Sequence, residues 1–369
     1  MKTAILYREE LKEYDFGLGH PFAGDRFKVF MDFFREHLSQ DDFQVVEPQY
    51  ATDDDLLLVH SREYVNFVES FYRTAALGLG WHSSGLYISG DNIPGPGAGK
   101  LNEAARLVAG SSKLAGELSW EGKFDQAIAI GGGLHHATSS FGEGFCIYND
   151  VAICAKNLKQ NHGLERILIL DTDAHGGNGT AKIFYQDSNV LFIDLHQDPR
   201  TIYPGIGFAH EIGSGAGEGY TVNVPMPLYA GYDSYQLVFD EIVFPLAEEF
   251  KPQIIIRNGG SDPHFADELT QLGLTLEGFR MIGQRVRELA KLCGGKSVDL
   301  IASGYNLKVL PLAWLSLICG LTGKEVQLEE PFPVPERLKK DQALAETGEV
   351  MKEIKECLKS HWKCFENAS

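Results

Sequence analysis

Strand-like apolar runs recur along the chain, separated by segments with helical patterning. These runs lie at 3–7, 124–130, 167–170, 190–197, 252–258 and 297–307. A strand with apolar residues at successive positions is covered on both faces, which is typical of a parallel sheet. Between the runs, apolar residues recur at helical spacing, as in 101–118 and 276–292. This alternation predicts an α/β fold built around one buried parallel sheet.

The alternation continues through all 369 residues without a low-complexity linker. Large α/β folds often reach this length as one unit, so we expect a single domain over residues 1–369. A charged helix at about 338–363 is expected to pack on it. A stretch rich in glycine and aromatics at 77–99 predicts an irregular surface segment of the kind that shapes binding mouths. We read the segment GHPFAGDR at 19–26 as a turn followed by a surface arginine, Arg26.

Charge and cysteine content restrict the function further. The net charge is −18, from 33 basic and 51 acidic residues, which argues against a nucleic-acid-binding face. No stretch is apolar for long enough to cross a membrane, and the apolar run in MKTAILYREE is too short for a signal peptide. The six cysteines contain no C-x-x-C pair and predict free thiols in a reducing cytoplasm.

The most informative stretch is RILILDTDAHGGNGT at 166–180, where a buried strand ends in charge. Asp171, Asp173 and His175 alternate, so in extended backbone they project to the same side. An open α/β sheet places its ligand site at such carboxyl ends of strands. Asp173 and His175 therefore make a plausible ligand pair for a divalent transition metal.

Three other strand ends carry polar residues next to glycine. His135 and His136 follow Gly131–Gly133, Asp262 follows two glycines, and Tyr305 follows Gly304. In a parallel sheet these ends converge on one edge. Two carboxylates and one histidine with open positions suit a catalytic zinc ion, which lowers the pKa of bound water to about 7. A histidine to move protons and a tyrosine to stabilise an oxyanion complete an amide hydrolase.

Together these motifs resemble those of a known family. GGGLHHA, GFCIYNDVA, DTDAHGGNGT, the Gly-Gly-Ser-Asp segment and SGYNL occur here in the order and spacing of the histone deacetylase superfamily. That superfamily includes bacterial and archaeal deacetylase-like proteins, acetoin-utilisation proteins and acetylpolyamine amidohydrolases. The resemblance implies an arginase-like three-layer α/β/α fold with a central parallel sheet. It also implies a zinc-dependent deacetylase that removes acetyl or other short acyl groups from acyl-lysine or similar acylated amines by metal-activated water.

The resemblance assigns roles to individual positions. It implies zinc ligands at Asp173, His175 and Asp262, with Fe²⁺ as the alternative metal. It implies His136 as general base and acid, His135 as its electrostatic partner, Asp171 as the carboxylate bound to His135, and Tyr305 as the transition-state tyrosine. The implied substrate-channel residues are Gly144, Phe145, Tyr203, Gly304 and the rim residue Asp91. A structural K⁺ or Na⁺ is implied at Asp171, Asp173, His175, Asp194 and Leu195.

Two positions depart from the usual family pattern. Gly176 stands where the family usually has a second histidine, and Asn178 stands where some members have an aspartate partner for His136. A neutral partner stabilises the imidazolium form of His136 less than a carboxylate would. Asn178→Asp is therefore expected to raise the pKa that controls the basic limb of the pH–rate profile.

Other functions stay open at this point. An arginase-like ureohydrolase would need further carboxylates to bridge two metals, and a non-catalytic scaffold for acetylated ligands would not need the complete set of site residues. Three classes of substrate are compatible with the sequence: an acylated lysine in a peptide or protein, an acetylated polyamine, or another small acylamide. No direct nucleic-acid or membrane partner is expected, and the sequence does not fix the oligomeric state.

Overall fold

The computed structural model describes residues 2–38, 43–75 and 84–366, and these residues form one eight-stranded sheet. The strands are β1 (Thr3–Leu6), β2 (Phe43–Val46), β3 (Gln126–Ile130), β4 (Ile167–Asp171), β5 (Val190–Gln197), β6 (Thr221–Met226), β7 (Ile254–Asn258) and β8 (Ser297–Ile301). Their order is β2-β1-β3-β8-β7-β4-β5-β6, and every neighbouring pair is parallel. The sheet thus combines strands from early and late parts of the chain.

Helices cover both faces of this sheet. They are α1 (Arg26–His37), α2 (Asp53–Leu56), α3 (Arg62–Ala75), α4 (Leu101–Trp120), α5 (Asp150–His162), α6 (Asn178–Phe184), α7 (Tyr232–Val238), α8 (Phe244–Phe250), α9 (Leu276–Ala290), α10 (Leu310–Thr322) and α11 (Leu344–Leu358). Every residue of β3, β4, β7 and β8 is buried. Because successive residues of a strand point to opposite faces, this burial requires cover on both sides, which confirms the predicted α/β/α arrangement.

The helices form two packed groups. α4 packs against α5 and also contacts β3, whereas α9 packs against α10 and contacts β7. Among the described residues, no helix has both the length and the apolar character needed to span a bilayer.

The apolar runs correctly located six strands, but β2 and β6 were not predicted. Both lie at the edges of the sheet. Most of β2 is not buried, and β6 contains Asn223 and Pro225 within its run. An edge strand needs less apolar sequence and tolerates proline, so the signal that identifies the central strands is absent.

The C-terminal helix is shorter than the predicted 338–363. Residues 336–338 form a separate 3₁₀ turn, and the Asp341 carboxylate accepts the backbone N–H groups of Gly231 and Ser234 at the start of α7. Because Asp341 is held in these hydrogen bonds, α11 begins only at Leu344. Beyond Leu358, the Trp362 indole donates to the Gly219 carbonyl. α11 packs against β6 and α7.

Candidate active site

Four adjacent strands deliver polar side chains to one edge of the sheet. β3, β8, β7 and β4 are consecutive and parallel. The segments after their carboxyl ends carry the site residues predicted from the sequence: His135, His136, Asp173, His175, Asp262 and Tyr305. Polar and ring contacts join all six into one cluster.

The centre of the cluster is a set of three buried potential metal ligands. The Nδ1 atom of His175 lies 3.1 Å from Oδ1 of Asp173 and 3.1 Å from Oδ2 of Asp262. One potential ligand atom from each residue lies within 4.8 Å of the others. Two carboxylate oxygens and one imidazole nitrogen suit a zinc or ferrous ion, and three protein donors leave coordination positions open. The donor set therefore fits a catalytic divalent metal.

Burial and mutual charge set the protonation of this cluster. Burial, followed by the charge of Asp173, raises the pKa of Asp262 to about 8. Burial opposes a charge on Asp173, but the His135 and His175 rings outweigh it and hold the pKa of Asp173 well below 3.8. Burial also opposes a charged His175, yet its bonds to the two carboxylates raise its pKa to about 10. Two buried carboxylates require a positive partner, and a divalent cation bound to them would take the place of the proton on His175, because a ligating imidazole is neutral.

His135 is bound to a buried carboxylate. Its Nδ1–H donates to Oδ2 of Asp171 over 2.7 Å, and Asp171 also accepts from the Asn258 amide. Burial alone would lower the pKa of His135, but the charges of Asp171 and Asp173 outweigh burial and raise this pKa to about 9. His135 is therefore favoured as an imidazolium at neutral pH.

His136 has a different partner. Its Nδ1–H donates to Oδ1 of Asn178 over 2.6 Å, and its Nε2 lies 3.1 Å from Nε2 of His135. Burial, followed by the charges on His135 and His175, lowers the pKa of His136 well below 6.5. A neutral imidazole with Nδ1 protonated leaves the Nε2 lone pair as an acceptor, and the Nε2–H of charged His135 faces it.

Two charged side chains hold the Gly304–Tyr305 segment in place. Arg26 donates to the carbonyl of Gly304 over 2.9 Å, and Asp267 accepts the backbone N–H of Tyr305 over 2.8 Å. Arg26 is fully buried, so reading it as a surface arginine was wrong. Burial, and then the charges of Asp173 and Asp262, raise the pKa of Tyr305 well above 10. The Tyr305 hydroxyl thus keeps its proton and can act as a donor.

The predicted channel residues lie around His136 and Tyr305. The Phe145 ring contacts the Tyr305 ring, with centroids 6.0 Å apart, and the Tyr203 ring contacts the His136 ring at 5.1 Å. Gly144 has φ +58, and a Cβ atom there would lie 2.3 Å from the His136 ring. The Asp91 carboxylate accepts the Gly144 backbone N–H over 2.9 Å and also pairs with the Ser89 hydroxyl. Asp91 therefore fixes the backbone at Gly144.

The predicted binding-mouth segment at 77–99 is described only in part, because 76–83 lie outside the described residues. Its described part contains short 3₁₀ turns at Ser84–Leu86 and Gly90–Asn92. The second of these turns carries Asp91.

The residues expected to hold a monovalent cation also lie close together. Asp171 on β4 is paired in register with Asp194 on β5, and Leu195 is the next residue on β5. The Asp171 Oδ1 atom accepts the N–H of Asp173, and the Asp194 Oδ2 atom accepts the N–H of Gly177. Any change at this site would therefore reach the loop that carries Asp173 and His175.

Sequence reasoning did not assign roles to several of the described residues that contact the site. Arg26 and Asp267 fix the Tyr305 segment, and Glu143 accepts the Asn178 amide over 2.9 Å and the Tyr203 hydroxyl over 3.0 Å. The position of Glu143 directly before Gly144 and Phe145 was the one available signal.

Comparisons with known proteins agree with this geometry. A family model described as the histone deacetylase domain matches residues 20–321. A probable deacetylase of Archaeoglobus fulgidus is 37% identical over 99% of this chain and 100% of its own length. The acetoin utilization protein AcuC of Staphylococcus aureus is 36% identical over 88% of this chain and 83% of its own length.

A solved structure supports the same relationship. The crystal structure of the HDA15 HD domain superposes with a TM-score of 0.83 at 27% identity, covering 99% of this chain and 97% of that one. The eight-stranded parallel sheet with its helices thus matches the arginase-like α/β fold of these proteins. On the match of the family model and the full-length relatives, this chain belongs to the histone deacetylase family.

Proposed function

We propose that this protein is a zinc-dependent amidohydrolase that removes acetyl or other short acyl groups from acyl-lysine side chains or similar acylated amines. The observation that carries the proposal is the buried Asp173–His175–Asp262 cluster beside the tandem histidines. Membership of the histone deacetylase family supports the reaction class. We further propose that residues 1–369 act as one catalytic domain in the cytoplasm.

Asp173, His175 and Asp262 would hold the metal, with Fe²⁺ as the alternative to Zn²⁺. When bound, such a cation polarises the amide carbonyl and lowers the pKa of water to about 7. Asp171 and Asp194, together with their neighbours on the two strands, would hold a structural K⁺ or Na⁺. That second ion would stiffen the loop that carries the ligands.

The two histidines divide the proton transfer and the electrostatics. His136, whose pKa is lowered, accepts a proton at Nε2 from the attacking water. It then returns this proton to the amine nitrogen as the C–N bond breaks. His135 stays charged through its bond to Asp171 and stabilises negative charge in the transition state.

Tyr305 donates its hydroxyl hydrogen to the carbonyl oxygen as that oxygen gains charge. Its raised pKa keeps it protonated, and Arg26 and Asp267 fix its backbone. Removing one such donor typically costs about 10²–10³ in rate.

The channel residues fit a neutral amide at the end of an apolar stem. Phe145, Tyr203 and Gly144 provide its walls, and Asp91 holds this wall at the rim. The acidic chain, with a net charge of −18, favours a cationic substrate. Acetyl-lysine itself is neutral and meets the first requirement, and a peptide that carries it meets the second where basic residues flank it. An N-acetylated polyamine, which keeps an ammonium group, is the alternative substrate.

The test is hydrolysis of an acetyl-lysine peptide beside N-acetylated putrescine, using protein stripped of metal and then reloaded with Zn²⁺ or Fe²⁺. We expect peptide turnover only after reloading. We also expect Tyr305→Phe to lose about 10²–10³ in kcat while binding the metal normally. Turnover of the polyamine alone would redirect the substrate assignment. Full metal occupancy without hydrolysis of any acylamide would refute the proposed function.

A further inference from the structure

Glu143 connects two parts of the site that the sequence did not link. One of its carboxylate oxygens accepts the side-chain amide of Asn178 over 2.9 Å, and the other accepts the Tyr203 hydroxyl over 3.0 Å. Asn178 in turn accepts Nδ1–H of His136 over 2.6 Å. The result is a continuous chain of hydrogen bonds from the channel wall to His136.

We propose that Glu143 is a positioning residue that fixes the Asn178 amide, and through it the tautomer of His136, while tethering the Tyr203 wall. The inference rests on the proposed function, in which His136 is the general base. Glu143 does not touch the reacting atoms. Its effect passes through Asn178 and Tyr203.

The chemistry of the three partners carries the argument. An amide can present either its oxygen or its NH₂ group to a neighbour, whereas an ionised carboxylate can only accept. Glu143 therefore requires the NH₂ group of Asn178 on its own side and turns Oδ1 of Asn178 toward His136. An oxygen at that place selects the tautomer with Nδ1 protonated. The Nε2 atom of His136 is left as the acceptor.

The surrounding backbone holds Glu143 in reach of Asn178. The carbonyl of Glu143 accepts the N–H of Cys146 over 2.9 Å, and Asp91 holds the N–H of Gly144. The other side of the Glu143–Asn178–Tyr203 group faces a cavity of about 700 Å³ that Gly176 also lines. Hydrogen bonds rather than close packing thus set the position of the Glu143 carboxylate. An isosteric change at Glu143 should therefore leave the fold intact.

Glu143 adds a second consequence to Asn178→Asp, besides the change in pKa expected from the sequence. This substitution would place a second carboxylate about where the amide now lies, 2.9 Å from Glu143. Two carboxylates at that separation cannot both stay ionised, so they would repel each other or share a proton. Glu143→Gln removes this conflict, because its amide can donate to the carboxylate introduced at position 178 while its oxygen accepts from Tyr203. The two substitutions should thus compensate each other.

The experiment is a double-mutant cycle with the full chain at full metal occupancy. We expect kcat on the acetyl-lysine peptide to fall about tenfold in Asn178→Asp and a few-fold in Glu143→Gln. The double variant should recover to within a few-fold of the unmodified protein. Glu211→Gln is the matched control, because Glu211 lines the same cavity but binds the N–H groups of Gly207 and Phe208. It should not rescue Asn178→Asp.

A second readout does not depend on turnover. In long-range ¹H–¹⁵N spectra of protein labelled at histidine, His136 should be the Nδ1–H tautomer, with its signals assigned by their loss in His136→Gln. Glu143→Gln should lower the population of the Nδ1–H tautomer, although the Nε2–H of His135, which faces Nε2 of His136, continues to favour it. The double variant should restore Nδ1–H, because the carboxylate that Asn178→Asp introduces can only accept a hydrogen bond.

The two readouts separate failure of this inference from failure of the proposed function. Additive losses in the cycle, or an unchanged tautomer in Glu143→Gln, would overturn the role of Glu143. If no acylamide is hydrolysed while the tautomer follows the predicted pattern, the proposed reaction is wrong and the positioning role stands.

Discussion

The two histidines of the site are consecutive in sequence, yet their surroundings make one positively charged and leave the other neutral. His135 is bound to the buried carboxylate of Asp171, which raises its pKa to about 9 against the effect of burial. His136 is bound to the neutral amide of Asn178, so burial and the neighbouring positive rings lower its pKa well below 6.5. A single choice of partner, carboxylate or amide, separates a fixed positive charge from a proton acceptor. Asp171 comes from the end of a buried strand, whereas Asn178 begins a helix beside a cavity.

Replacing the neutral member of the pair should have the largest effect. His136→Gln removes the group proposed to take the proton from water, so kcat should fall by about 10²–10⁴. His135→Gln should cost less, since it removes a charge and leaves the proton acceptor in place. Kinetics on the acetyl-lysine peptide, with zinc content measured for both variants, would check this order. A larger loss for His135 at equal zinc content would reverse the assigned roles.

Giving both histidines an amide partner should have the next largest effect. Asp171→Asn gives His135 an amide partner like that of His136, so its positive charge is no longer stabilised. We expect kcat to fall by about 10–100-fold, as for other residues that orient a site from behind. Because Asp171 also accepts the N–H of Asp173, bound zinc must be quantified alongside the rate. A normal rate with full zinc occupancy would show that the charge on His135 is dispensable.

The same contrast explains how much of the site could be predicted from the sequence. The ligands and the tandem histidines follow strands with continuous apolar runs, and a parallel sheet brings those strand ends together. Their proximity was therefore predictable. The edge strands β2 and β6 were missed for different reasons, since most of β2 is not buried and the largely buried β6 is interrupted by Asn223 and Pro225.

The supporting side chains were harder to predict. Arg26 reaches the carbonyl of Gly304, 278 positions away in sequence. No local pattern encodes such contacts, since they depend on how loops meet above the sheet. The pattern of strands determines where the chemistry lies, while the tertiary packing decides the charge state of each histidine.

The smallest expected effect concerns the acid limb of the pH–rate profile. His136 accepts a proton only when it is neutral, so its pKa, which lies well below 6.5, controls the acid limb and not the basic limb expected from the sequence for the pairing with Asn178. The value of kcat/KM should therefore stay constant as the pH falls to 6.5 and decrease only below that. A divalent cation nearby would further disfavour a proton on His136, which moves the limb in the same direction.

Asp171→Asn sharpens this test. Weakening the charge on His135 reduces the repulsion that keeps a proton off His136, so the pKa of His136 should rise. The acid limb should then move to higher pH by roughly one unit. Tyr185→Phe, a change of another side chain on the cavity wall, provides a comparison in which the limb should stay in place. A limb at or above pH 6.5 in the unmodified protein, or a downward shift in Asp171→Asn, would contradict the division of charge between the two histidines.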